Sequence, residues 1–370
     1  MEIFKPLGFD KALVVVTLAL LAVGFIMVFS SSAVLAEQKY QQSLRFFFQQ
    51  VIGAAAGIVL VLFIMSVRRP FFQNTFIVYG LLFITLVLLV ACFLMPTIAR
   101  TNRWVLLFGI RFQPSELAKI SLLLYLAYYL QKKRDRLSEW RTLIQPILVI
   151  GLFVLLILRE PDFGTALLIF LICTLMLFIG GVKITHLAIL GAGATALFAV
   201  FLFQASYRLD RITGFISPDK DPQGKNFQVN QSKLAVGAGG FLGVSLGESI
   251  QKLYFLPHAH TDFIYAILGE EFGLLGTVSI LVLFFILLWR GLAVAARAPT
   301  PAGQLAAAGL TLMICAQALL NISVVLGMGP AKGLPLPFVS FGRSSLVCNL
   351  AAIGIILNIS QRKGAVRKKT

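Results

Sequence analysis

Residues Leu143–Gly180 read LIQPILVIGLFVLLILREPDFGTALLIFLICTLMLFIG, two apolar runs parted only by Arg159, Glu160, Pro161 and Asp162. A helix needs about 20 apolar residues to cross a bilayer, and so short a polar break leaves room only for a turn. The stretch predicts a tight helical hairpin whose turn holds four conspicuous residues. The same pattern extends over the whole chain. Apolar segments at 12–35, 46–66, 75–95, 114–131, 143–158, 162–180, 185–204, 262–288, 304–328 and 343–360 predict an all-α polytopic membrane protein with ten transmembrane helices. The run from Ala12 to Phe29 exceeds a signal-peptide core, so the first segment reads as an uncleaved span despite the small-residue pattern at Val34, Leu35 and Ala36.

Composition agrees. Of 370 residues 58% are hydrophobic and only 13% charged, a surface no soluble domain tolerates. The net charge of +17 sits in short clusters between apolar runs, without an aromatic-interleaved patch, which excludes a nucleic-acid groove. Such clusters are topology signals and contacts for anionic membrane lipids. Lys132, Lys133, Arg134, Arg136 and Arg141 after the fourth segment, with Arg362, Lys363, Arg367, Lys368 and Lys369 at the end, favour both termini inside. Cys92, Cys173, Cys315 and Cys348 all lie in apolar runs and read as small packing residues, neither a disulfide set nor a metal site.

The chain reads as one transmembrane domain over residues 1–370 with one long extracytoplasmic connection, 204–261. Connections of that length are usually functional. Within it Gln231–Lys252, QSKLAVGAGGFLGVSLGESIQK, fits neither a dinucleotide fingerprint nor a phosphate-binding P-loop, because no strand precedes it and the Gly and Lys spacings fail. Its glycines suit a re-entrant or interfacial segment in which backbone approaches backbone or a headgroup.

Three polar constellations stand out because charge is expensive at membrane depth. The first is LPHAHTDFIYAILGEE, Leu256–Glu271. Thr261 is the expected N-cap of the eighth span and Asp262 is expected in its first turn, where the helix dipole keeps a carboxylate ionised. Asp262 then either accepts a proton as a general base or simply satisfies the helix end. Glu270 is expected about two turns deeper near the same face, with Glu271 pointing away. His258, His260 and Asp262 alternate as metal ligands can, although imidazoles near a helix start more often make ordinary hydrogen bonds.

The second constellation is Gln113, Pro114, Ser115, Glu116 and Lys119, opening the fourth span, with Arg100, Arg103, Trp104 and Arg111 upstream. Glu116 and Lys119 share a helix face and serve either as structural glue or to orient a substrate phosphate. Trp104 reads as an interface anchor or as part of a binding surface. The third is PAKGLPLPFVSFGRSS, Pro330–Ser345, whose broken backbone belongs in protein or along a cavity. Lys332, Ser340, Arg343, Ser344 and Ser345 offer donors to an anion there, or cap a turn.

Taken together these pieces resemble the SEDS family of bacterial shape, elongation, division and sporulation proteins, and the division branch more than the elongation branch. The matching motifs are Arg103–Trp104, FQPSELAK (Phe112–Lys119), EPDFGTALL (Glu160–Leu168), HTDFIYAILGEEFGLLG (His260–Gly276) and KGLPLPFVSFG (Lys332–Gly342). The resemblance implies a ten-span peptidoglycan glycosyltransferase that polymerises lipid II outside the cytoplasmic (inner) membrane, at the division septum, with a class B penicillin-binding protein and other division proteins as partners. It implies that Asp262 is the catalytic carboxylate. Around it, Arg103, Trp104, Gln113, Glu116, Lys119, Asp162, His260, Glu270, Lys332, Ser340, Ser344 and Ser345 are the candidate substrate-binding residues. Arg103, Lys119 and Lys332 are the cations that chemistry would place against a lipid-linked pyrophosphate. No metal site or cofactor is implied, and a divalent cation stays open. Two positions depart from the family pattern: Arg343 replaces the second of two glycines before two serines, and His258 stands where a carboxylate is common. A lipid II transporter and a noncatalytic division scaffold are the competing readings.

Overall fold

The computed structural model describes residues 8–67, 71–95, 102–107, 109–204, 206–216, 226–254, 256–257, 259–330 and 332–361. The elements in chain order are α1 (Lys11–Tyr40), α2 (Arg45–Ser66), α3 (Thr75–Cys92), β1 (Val105–Leu107), β2 (Ile110–Phe112), α4 (Pro114–Lys132), α5 (Trp140–Arg159), α6 (Phe163–Ile179) and α7 (Ile184–Phe203). They continue with α8 (Ser206–Ile216), α9 (Phe227–Ala238), α10 (Gln251–Tyr254), α11 (Ile264–Ala296), α12 (Pro301–Val325) and α13 (Arg343–Gln361).

Every apolar segment read from the sequence is helical. Eight of these helices are long and apolar enough to cross a membrane. Of the other two, α6 is apolar but has 17 residues, while α4 carries Glu116 and Lys119 in its first two turns. That polarity is tolerated because α4 is buried along its length, from Pro114 through Leu130. It packs against α12, itself largely buried, while α13 lies against α2. By contrast α7 buries only Leu187 and Phe198, and α2 turns Phe48, Ile52, Val59, Leu62 and Phe63 outward. A continuous apolar exterior of this kind is stable only against lipid.

The start of α1 and the end of α13 are tied to one face of the bundle. Asp10 caps α1 by accepting from the Leu13 N–H at 3.2 Å, and its main-chain N–H donates to Ser360 Oγ. Its carboxylate also receives both forks of Arg290 on α11, the shorter at 2.6 Å, a bidentate geometry that fixes orientation as well as charge. On the same side Asn358 donates to the carbonyls of Ile64 and Val67 at 2.8 and 2.9 Å, satisfying the end of α2.

The connection 204–261 contains α8, α9 and α10. Two features depart from the expectation. A two-stranded antiparallel hairpin, β1 with β2, pairs Val105 with Phe112 just before α4. The eighth span begins at Ile264, two residues later than read, and it is broken at Gly273, whose φ of 62° and ψ of −155° lie outside helix space.

The break explains the glycine-rich segment. A Cβ on Gly273 would stand 2.5 Å from the Gly243 nitrogen, and one on Gly239 would stand 1.9 Å from the Gly269 oxygen. Backbone thus meets backbone with no room for a side chain. The Val244 N–H donates to the Glu270 carbonyl, and the Leu274 N–H to that of Gly240, at 3.0 and 2.9 Å, so the loop supplies partners that the interrupted helix lacks.

Candidate active site

Asp262 is half-buried on a turn that precedes α11. The helix is entered through Phe263 without a side-chain cap and has no acidic residue in its first turn, which corrects the reading of Thr261 as the cap. The cause is visible in the main chain. The carbonyl of His260 accepts from the Phe341 N–H at 3.0 Å, that of Thr261 from Ser340 Oγ at 2.5 Å, and that of Asp262 from Asn321 Nδ2 at 2.7 Å. Three consecutive carbonyls spent on tertiary partners hold this segment out of the helix, so the helical-wheel relation of Asp262 to Glu270 does not apply.

The partner segment is fixed just as closely. Asn321 Nδ2 also donates to the Leu334 carbonyl at 2.7 Å, Gln317 Nε2 to that of Pro335 at 2.9 Å, and the Leu336 N–H donates to Ser340 Oγ. Gln317 and Asn321 are one helical turn apart on α12, so two amides on one face hold the broken segment against the Asp262 turn. Gly333, exposed, stands beside the carboxylate: a Cβ there would lie 3.1 Å from Asp262 Oδ2. Next to it Lys332 is half-buried against Gly164 at the start of α6, and desolvation lowers its ammonium pKa below the usual range.

Lys119 is engaged elsewhere. It pairs with Glu116 at 2.9 Å, both side chains almost wholly buried, and donates to Gln317 Oε1 at 2.6 Å. The structure therefore favours the glue reading of that pair: it orients Gln317, and through it Pro335.

The hairpin tip predicted at Glu160–Asp162 is the second anchor. Asp162 caps α6 through the Thr165 N–H at 3.2 Å and accepts from Gln113 Nε2 at 3.2 Å. Arg103 donates to the carbonyls of Glu160 and Pro161 and lies 4.0 Å from the Asp162 carboxylate, partly exposed. Gln113 further bonds Ser115, and its N–H donates to Ser344 Oγ, which in turn reaches the Arg111 carbonyl. Loop, hairpin tip and the start of α13 are thereby one unit. Trp104 is half-buried directly before β1, and Ser345 accepts from Asn349 within α13. Glu160 is fully buried, with the Cys92 thiol beside its carboxylate. Burial first, then the Asp162 charge, push its carboxyl up to about 8, with the Cys92 thiol and Arg103 opposing.

The remaining candidates are packed against or hydrogen-bonded to neighbouring residues. His260 sits in an aromatic cluster, its ring 5.0 Å from that of Phe46 and 5.9 Å from that of Phe341. Glu270 receives Ser249 Oγ and the N–H groups of Ile250 and Gln251, holding the start of α10. Arg343, the departure from the family pattern, lays its side-chain stem over Gly53 of α2. His258 and Arg100 lie outside the described residues. Among the described residues no three His, Cys, Asp or Glu side chains converge as a metal ligand set.

Sequence reasoning missed Asn321, Gln317 and the buried Lys252–Glu271 pair, 2.6 Å apart and joined by Ser30 of α1. The signal for the first two was present: amides four residues apart in an otherwise apolar span. For Lys252 there was none, because its partner depends on how the connection folds back.

The cell-cycle protein family model FTSW_RODA_SPOVE matches residues 11–364. A probable peptidoglycan glycosyltransferase FtsW of Trichlorobacter lovleyi is 40% identical over 364 residues, covering 96% of this chain and 94% of the relative. Stage V sporulation protein E of Bacillus subtilis is 38% identical over 357 residues, covering 95% and 97%. Among solved structures, a chain of a peptidoglycan synthase complex that coordinates polymerization and crosslinking superposes with a TM-score of 0.79 at 30% identity, covering 96% of this chain and 98% of that one. The rod shape determining protein RodA of Thermus thermophilus gives 0.71 at 27% identity, covering 96% and 97%. With motifs, fold and near-complete coverage in agreement, the chain belongs to the FtsW/RodA/SpoVE family of cell-cycle proteins.

Proposed function

We propose that this protein is a peptidoglycan glycosyltransferase that polymerises lipid II at the outer face of the cytoplasmic membrane, with Asp262 as the general base. The observation that carries the reading is the half-buried Asp262 carboxylate on a turn clamped by three carbonyl hydrogen bonds, facing a glycine that leaves room beside its oxygen. A base must be held to within a fraction of an ångström of the proton it removes. Asp262 takes the proton of the acceptor's sugar hydroxyl as that oxygen bonds to the anomeric carbon of the lipid-linked chain. The anomeric carbon–phosphate oxygen bond breaks, and undecaprenyl pyrophosphate departs with the electron pair. Lys332 and Arg103 are the cations available to offset that charge.

The orientation that serves this chemistry has ten spans, both termini inside and the connection 204–261 outside. A class B penicillin-binding protein is the fitting partner, since the relatives include a peptidoglycan synthase complex, and the FtsW relatives favour a septal role. The test is incubation of the purified protein and its penicillin-binding partner with lipid II, which yields glycan strands for wild type and none for Asp262→Asn. Wild-type-like polymer from that variant would overturn the mechanism. Transfer of labelled lipid II across liposomes without polymer would instead support a transporter, and full complementation of a depletion strain by Asp262→Asn a scaffold.

A further inference from the structure

At the face of the bundle that carries the start of α1 and the end of α13, away from Asp262, the ends of α4, α6, α11 and α12 surround a cavity of about 320 Å³. Its inner wall includes Leu130, Leu305 and Ala308, all buried, while Arg134, Gln304 and Ala296 stand exposed at its mouth. Arg134 belongs to the segment Lys132–Arg136, which contains four cations and one anion, Asp135. The volume is that of a small-molecule site, and two of the helices that form it, α11 and α12, are long and apolar enough to cross a membrane, so the end they share marks the level of the lipid headgroups. A free anion would use only the basic rim and leave the apolar wall uncovered. An amphiphile uses both.

We propose that this cavity binds the glycerophosphate headgroup of an anionic phospholipid from the adjoining leaflet, its phosphate meeting Arg134 and its glycerol and first methylenes covering Leu305 and Ala308. Basic pockets between transmembrane helices recognise anionic headgroups in this manner. The inference is independent of Asp262 and of the reaction.

The test is native mass spectrometry of the detergent-purified full chain titrated with short-chain phosphatidylglycerol, phosphatidylcholine of equal chain length, and sn-glycerol 3-phosphate. Wild type is expected to bind phosphatidylglycerol preferentially, and Arg134→Gln to weaken that binding about five-fold, the scale of one cation beside an anionic headgroup. Ala296→Trp, at an exposed lip where a ring enters the cavity without disturbing the core, is expected to abolish it. Arg141→Gln, on the same face but outside the cavity, is expected to stay within about two-fold of wild type. The proposal fails if the two phospholipids bind alike, if Arg134→Gln or Ala296→Trp binds as wild type does, if Arg141→Gln loses as much as Arg134→Gln, or if glycerol phosphate binds as tightly as the lipid.

Discussion

Asn321 donates to the main-chain carbonyl of Asp262 at 2.7 Å, and the same nitrogen donates to Leu334 at 2.7 Å, so one amide joins the proposed base to the segment facing it. Asn321 is itself buried. Asn321→Ala removes the donor from two carbonyls, and an unsatisfied buried polar group costs about 1–3 kcal/mol. The variant is expected to unfold earlier in a denaturant titration in micelles and to lose most polymerising activity, and unchanged stability would show that the clamp is dispensable.

Gly333 separates access to Asp262 from stability. Because the residue is exposed, Gly333→Val should leave the melting temperature nearly unchanged while crowding Asp262 Oδ2. Polymer yield from lipid II is expected to fall roughly ten- to a hundred-fold, the scale on which misplaced reacting groups act. Normal turnover would mean that substrate approaches Asp262 from another side.

Lys252 and Glu271 form a buried pair between the connection 204–261 and α11, with Ser30 of α1 hydrogen-bonded to both. Removing one partner strands the other charge, which costs about 3–5 kcal/mol. Lys252→Met alone is expected to destabilise strongly, and Lys252→Met with Glu271→Leu to recover most of the loss. A chemical-denaturation double-mutant cycle measures the coupling, and purely additive effects would contradict it.

The Glu160 carboxyl ionises near its ordinary 4.5 in the unfolded chain and at about 8 in the folded one. The folded state therefore retains a proton that the unfolded state releases, so stability falls as pH rises from about 4.5 to about 8 and levels off above that. Glu160→Gln cannot release the proton. It is expected to flatten the fall in melting temperature between about pH 6 and about pH 8.5, and parallel curves for the two proteins would assign the slope to other groups.

Much of the fold was legible because a bilayer imposes a length and a polarity that local sequence must meet. The hairpin about Glu160–Asp162 and the apolar segments became helices, with shifts of a few residues at their ends. Where the reading slipped, a tertiary partner had overruled a local preference. The capping expected of Thr261 has no bearing on Asp262, since the carbonyls at 260, 261 and 262 are taken by Phe341, Ser340 and Asn321. The break at Gly273 was equally hidden, because the loop backbone that supplies its hydrogen bonds comes from residues 240–244.

The sequence by itself determined that this is a helical membrane protein of the FtsW/RodA/SpoVE type and which polar motifs are candidates for chemistry, since hydropathy and motif order are local properties of the chain. Only the tertiary structure decided which partners those polar groups meet. Lys119 is held by Glu116 and Gln317, Glu270 by the 249–251 backbone, and Asp262 stands beside Gly333 on a clamped turn. Buried charges and amides are satisfied by whichever partners packing brings within reach, and those partners lie up to 198 residues away for Lys119, a distance over which sequence carries no periodic signal.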